Sequence, residues 1–182
     1  MVVDVQEGFR NPHSEHVVVN IVRLVDGWVG AGLPLVFARF FNAPGSPYET
    51  ISGWTELRTA EEQALVRELQ PFASRAALIV DKAVSSALTP ELTAAAAEHG
   101  WHDLVIAGID TDACVYDTAV SVYHQGDLRP WIVTDACAST GGQEMHEAAL
   151  MLARRNIGAR QLLTVDSVLA QLHESAGVEE TA

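Results

Sequence analysis

The sequence predicts an α/β domain, a parallel sheet covered by helices on both faces. Short apolar runs alternate with helical patterns, and the runs are rich in Val, Ile and Leu, as strands buried on both sides require. Size agrees. A chain of 182 residues and 19.6 kDa lies in the usual range of roughly 100–200 residues for one domain. Such a chain can withdraw about 70% of its unfolded surface from water.

The strands are predicted, in order, at Val2–Val5, Leu33–Arg39, Ala76–Lys82, Leu104–Ile109, Trp131–Thr134 and Leu162–Val165. Helices are predicted at His16–Gly30, Thr89–His99, Asp112–Gln125, Gln143–Asn156 and Ser167–His173. Thr89-Pro90-Glu91 is a start signal, with Thr as cap and Pro at the first helical position. Gly100, Gly126 and Gly158 stand just past their helices as stops. Phe40 to Leu57 breaks the rhythm with Pro44, Gly45, Pro47 and Gly53 among Phe41, Tyr48 and Trp54. Connections beyond about 12–15 residues are usually lids or binding loops, the alternative here being an excursion that caps the core edge. Residues 1–173 read as a single domain, and Glu174–Ala182 as an acidic tail that frays.

Charge excludes some functions. A net charge of −13, from 24 acidic and 11 basic residues, repels nucleic acid and acidic membrane surfaces. No apolar run reaches the ~18–20 residues of a membrane span, and the start lacks the features of a signal peptide. Only three residues precede Asp4, so a few are expected to be missing upstream. Two cysteines, Cys114 and Cys137, make no disulfide framework. A soluble cytoplasmic protein is the expectation.

In an open parallel sheet, ligands bind beyond the carboxyl ends of the strands. The polar residues there are Asp4 and Gln6, Arg39, Lys82, then Asp110, Thr111, Asp112 and Cys114, and lastly Asp135. Lys82 is the one lysine against ten arginines, and a lysine's compact charge does chemistry that a fixed guanidinium cannot. Cys114 lies near the start of a helix, where unpaired N–H groups favour a thiolate and can hold an oxyanion. Asp110 and Asp112 oppose the thiolate, so Lys82 is the cation it needs. Asp4 could then take the thiol proton and return it to a leaving amine. Each residue also has a plain reading, as a helix cap, a solvated side chain or a small buried hydrophobe. Cys137 reads as structural.

Three segments carry a resemblance: Asp-x-Gln-x-Gly-Phe at 4–9, Lys-x-x-x-Ser-Ala-Leu at 82–88, and Gly-Ile-Asp-Thr-Asp-Ala-Cys-Val at 108–115. In order and spacing, with Val-Thr-Asp-Ala at 133–136, they resemble the isochorismatase-like cysteine hydrolases. The resemblance implies a six-stranded parallel sheet of order 3-2-1-4-5-6 and places Asp4, Lys82 and Cys114 on the family's triad. It implies a cis Ile109–Asp110 bond, an oxyanion hole from the Asp110 and Cys114 N–H groups, and no cofactor. Gln6, Phe9 and Trp54 fall on substrate-pocket positions, and members are commonly homodimers or homotetramers.

Departures matter equally. Asp110 replaces a usually small residue and would put a charge at the pocket mouth. Leu88 replaces the commoner Phe. Nicotinamidases hold a metal through histidines after the second strand, yet none lies between His16 and His99, so no metal site is expected. His13 with His16, and His99 with His102, read as surface pairs. Arg39 could pair a substrate carboxylate, or simply an acid of the protein. Hydrolysis of an amide, ureido or carbamoyl C–N bond through a thioester is the expected chemistry. The alternatives are vinyl-ether hydrolysis with Asp4 as acid, a non-catalytic scaffold, and Mg²⁺-dependent phosphotransfer at Asp110-Thr-Asp112.

Overall fold

A computed structural model describes residues 1–179, with side chains to 174. The elements run β1 (Val2–Val3), α1 (Val18–Gly30), β2 (Val36–Phe40), α2 (Pro47–Thr50), α3 (Ala60–Gln63), α4 (Gln70–Ala73) and β3 (Leu78–Lys82). Then follow α5 (Pro90–His99), β4 (Asp103–Ile109), α6 (Tyr116–Gln125), β5 (Arg129–Ala138), α7 (Gln143–Asn156), β6 (Leu162–Leu163) and α8 (Val165–Glu179). The six strands pair in parallel in the order 3-2-1-4-5-6. No helix among the described residues is long and apolar enough to cross a membrane.

Alternation along the strands divides the core. Val2, Phe37, Ala107 and Val133 join the layer under α1 and α8, while Val3, Val36, Ala38 and Ile106 join the layer under α5, α6 and α7. Successive residues of a strand face opposite ways, so each strand feeds both layers. Thr89 caps α5 through the Leu92 N–H. Gly100 and Gly126 end α5 and α6 in the left-handed conformation, where a Cβ is unfavourable.

Several boundaries differ from the sequence reading. The first strand stops at Val3 because Asp4 has φ +53 and leaves the extended region. Cys114 sits in a π-helical turn, Thr111–Val115, ahead of α6 rather than in a regular helix. The fifth strand runs on through Ala138, with an irregularity: Ile106 pairs with Ile132 but Gly108 with Cys137. Asp135 therefore lies within β5, where Oδ1 accepts the Val165 N–H. The long connection contains α2, and α3 and α4 follow before β3. The last helix begins at Val165 and continues through Glu179, into the stretch expected to fray. Residues 180–182 of that stretch lie outside the described residues.

Gly108 shows how closely β4 passes β1. A Cβ there would lie 2.0 Å from the Val3 carbonyl oxygen, and φ is +140. Both the contact and the dihedral exclude a side chain. Gly108→Ala is expected to cost about 3 kcal/mol or more of stability, read as a lower urea midpoint; an unchanged midpoint would contradict the close approach.

Candidate active site

Three strand ends deliver the reactive groups. Asp4 follows β1, its N–H donating to the Ala38 carbonyl (2.9 Å), and its positive φ turns the chain out of the sheet at that point. A non-glycine residue in that region costs energy and often marks a working site. Lys82 ends β3, the sheet edge, and Cys114 lies in the turn after β4. All three are buried, at 0%, 5% and 8% exposure.

Lys82 Nζ lies 2.6 Å from Asp4 Oδ2, 3.4 Å from Cys114 Sγ and 3.1 Å from the Val84 carbonyl oxygen. These contacts match the three protons of an ammonium. Asp4 Oδ1 is buried with no hydrogen-bond partner, and the Cys114 thiol interacts with the same carboxylate. Burial raises the Asp4 pKa to about 6, against the opposing pull of Lys82. Burial works against the Lys82 charge, but Asp4 and Cys114 together outweigh it and leave its pKa raised. Burial and then Asp4 push the Cys114 thiol well above its ordinary range, although Lys82 pulls it down. Burial and Asp4 thus work against the ready thiolate that the sequence suggests, while Lys82 works for it.

A cavity of about 170 Å³ opens onto Cys114. Its walls include Phe9, Phe40, Tyr48 and Trp54. Phe9 stacks on Trp54 at 6.0 Å between centroids, and Phe40 meets Tyr48 edge-on at 5.0 Å. The long connection supplies Tyr48 and Trp54, and Asn42 holds it closed. The Asn42 side-chain amide donates to the Trp54 and Glu56 carbonyls, and its Oδ1 accepts the Ser46 hydroxyl. Ser85 Oγ lies 3.9 Å from Cys114 Sγ at the cavity wall.

The structure thus gathers Asp4, Lys82, Cys114, Phe9, Trp54 and Asp110 at one place. It does not bring Gln6 or Arg39 there. Gln6 is fully buried and clips the core: its amide donates to the Phe40 and Gln63 carbonyls, and its Oε1 accepts the Phe40 N–H. A pocket role is corrected to a structural one. Arg39 forms a two-point ion pair with Asp81 at 2.8 and 2.9 Å and lies over Phe41. Asp81 on the neighbouring strand thus pairs the guanidinium, and Arg39 does not line the cavity.

Asp110 lines the cavity. Its carboxylate accepts the Thr140 N–H and hydroxyl at 2.5 and 2.9 Å, so the protein already engages both oxygens. Burial raises its pKa while the Thr140 bonds lower it. The Ile109–Asp110 peptide bond is cis. Phe40, Tyr48, Ser85 and Ala113 were missed as cavity residues, though the aromatic-rich loop pointed toward Tyr48. Among the described residues no group of three His, Cys, Asp or Glu side chains is placed to hold a metal ion.

The Isochorismatase domain family model matches residues 1–165. No curated protein matches the sequence. Solved structures do match in fold. An isochorismatase-like hydrolase from Alkaliphilus metalliredigens is 20% identical, with a TM-score of 0.81 over 93% of this chain and 96% of that one. N-carbamoylsarcosine amidase from Thermoplasma acidophilum is 21% identical, with a TM-score of 0.76 over 91% and 94%. Nicotinamidase from Bacillus subtilis is 24% identical, with a TM-score of 0.77 over 89% and 96%.

Thr140, two residues past β5, ties that segment to Asp110 just ahead of the turn that carries Cys114. Thr140→Val removes one hydrogen bond to a carboxylate and is expected to cost about 2 kcal/mol. Urea denaturation reads the loss; an unchanged midpoint would show that the Asp110 tether carries no stability.

Proposed function

This chain belongs to the isochorismatase family, and from that premise we propose that it is a cysteine hydrolase cleaving a C–N bond of a small molecule. The bond is an amide, ureido or carbamoyl linkage, and the reaction passes through a thioester. One observation carries the reading: Lys82 Nζ sits 2.6 Å from Asp4 and 3.4 Å from Cys114, and Cys114 lines an aromatic-walled cavity. The amidases among the structural neighbours support C–N cleavage.

The substrate carbonyl enters against Cys114. The thiol proton passes to Asp4 as sulfur attacks the carbonyl carbon, so no free thiolate is needed beforehand. Negative charge develops on the carbonyl oxygen, for which the Asp110 and Cys114 N–H groups are the proposed donors. Asp4 then returns its proton to the departing nitrogen, the C–N bond breaks, and an amine or ammonia leaves. A water molecule attacks the thioester with Asp4 again taking a proton. The C–S bond breaks, the proton returns to sulfur, and the acid is released. Lys82 holds Asp4 in place and offsets negative charge at sulfur throughout.

A second reading keeps Asp4 as an acid. A carboxyl titrating at about 6 beside a thiol that burial keeps neutral suits protonation of a vinyl ether. Cys114→Ala separates the two. Amide turnover is expected to fall at least about 10³-fold with an unchanged circular-dichroism spectrum. Retained turnover would remove the nucleophile and leave the acid reading.

Lys82→Arg is expected to be nearly as inactive, because a buried fork cannot occupy a point charge's place between acid and sulfur. The pH profile has a definite sign. Burial raises the Asp4 pKa, so the carboxylate needed as base is present above about pH 6 and lost below it. kcat/KM is expected to fall about tenfold per pH unit on the acid side. A rate that rises toward low pH would favour the acid.

A further inference from the structure

The cations on the segments that carry the cavity wall are each paired with an acid of the protein. Lys82 gives its protons to Asp4, Val84 and Cys114. Arg39 is held by both oxygens of Asp81, and Arg58, which does not line the cavity, is paired with Glu49 at 3.0 Å although its buried Nε and Nη2 make no hydrogen bond. The only ionisable carboxylate in the cavity wall, Asp110, is engaged by Thr140. What remains facing a ligand is four aromatic rings, Ala113, the Ser85 hydroxyl and the reacting thiol.

From this inventory we infer that the substrate carries no carboxylate or other anionic group, and that its non-reacting part is an apolar body fitted to the aromatic walls. This deepens the amidase reading, which identifies the end of the molecule that reacts. A carboxylate entering the cavity would lose its water and find no spare cation, at a cost of several kcal/mol. The faces of aromatic rings are negative and repel it further. Burial raises the pKa of the wall residue Tyr48, and Cys114, Asp117 and Asp4 add to the shift against the pull of Lys82. The cavity, about 170 Å³, is smaller than the roughly 300–1,000 Å³ of pockets for drug-sized ligands. It takes a compact molecule rather than a peptide.

Binding tests this separately from turnover. Calorimetric titration of the full chain carrying Cys114→Ala would use benzamide, benzoate and acetamide. Benzamide and benzoate have nearly the same shape and differ in charge; acetamide keeps the amide and lacks the apolar body. Benzamide is expected to bind at least tenfold more tightly than either. In the unaltered protein, benzamide should likewise protect Cys114 from iodoacetamide at concentrations where benzoate does not. Benzoate binding or protecting as well as benzamide would overturn the exclusion of anions. Acetamide matching benzamide, or no binding by any of the three, would overturn the apolar body. Benzamide that binds tightly but is never hydrolysed would count against the amidase reading and leave the charge selection standing.

Discussion

Everything at the active end of this molecule depends on one buried ion pair, Lys82 with Asp4. The two residues end strands that are not neighbours: β2 lies between β3 and β1. At about 4.8 Å per strand, their backbones stand roughly 10 Å apart, and a long side chain is needed to close the gap. Lysine does so by crossing the end of β2, where Nζ lies 5.0 Å from the centre of the Phe40 ring. Removing either partner would leave an uncompensated buried charge, at about 3–5 kcal/mol. The pair also bears on the thiol: burial and Asp4 raise the Cys114 pKa while Lys82 lowers it, and Asp4 is the proposed acceptor of its proton.

Around that pair the protein is built to leave little polar capacity unused. Gln6, two residues from Asp4, spends its amide on β2 and on the end of α3. Asn42 fastens the loop that carries Tyr48 and Trp54. Thr140 secures Asp110, and His146 contacts the Thr111 hydroxyl at 2.8 Å. Each is a polar side chain that might have faced a ligand and instead holds a segment of the cavity wall. In the proposed reading the chemistry is confined to a thiol, a carboxylate and an ammonium, and recognition falls to aromatic surface.

The sheet was legible because strand signals depend on local pattern. Runs of Val, Ile and Leu bounded by glycine and helix caps locate β1 to β6 and the main helices, to within a few residues. That Asp4, Lys82 and Cys114 come together was legible for a related reason: strand ends in a parallel sheet point to one edge, so polar residues there are candidates before any contact is known. Three motifs in order narrowed the candidates to Asp4, Lys82 and Cys114. The short helices α2 to α4 were not legible, since each is four residues long and too short for a periodic pattern. Nor was the π turn at Cys114, where one altered hydrogen-bond register separates it from an α-helix.

The amino-acid sequence by itself determined the α/β class, the strand ends on which the reactive groups stand, and the chemical kind of those groups. Only the tertiary structure decided which charges are free. Arg39 and Asp81 are 42 residues apart, and Asp110 and Thr140 are 30 apart; both pairs form only when neighbouring strands align. A charge reads the same along the chain whether it is paired or open. Its partner, and the water it has lost, belong to the folded state, and these decide whether it meets a substrate or holds the wall.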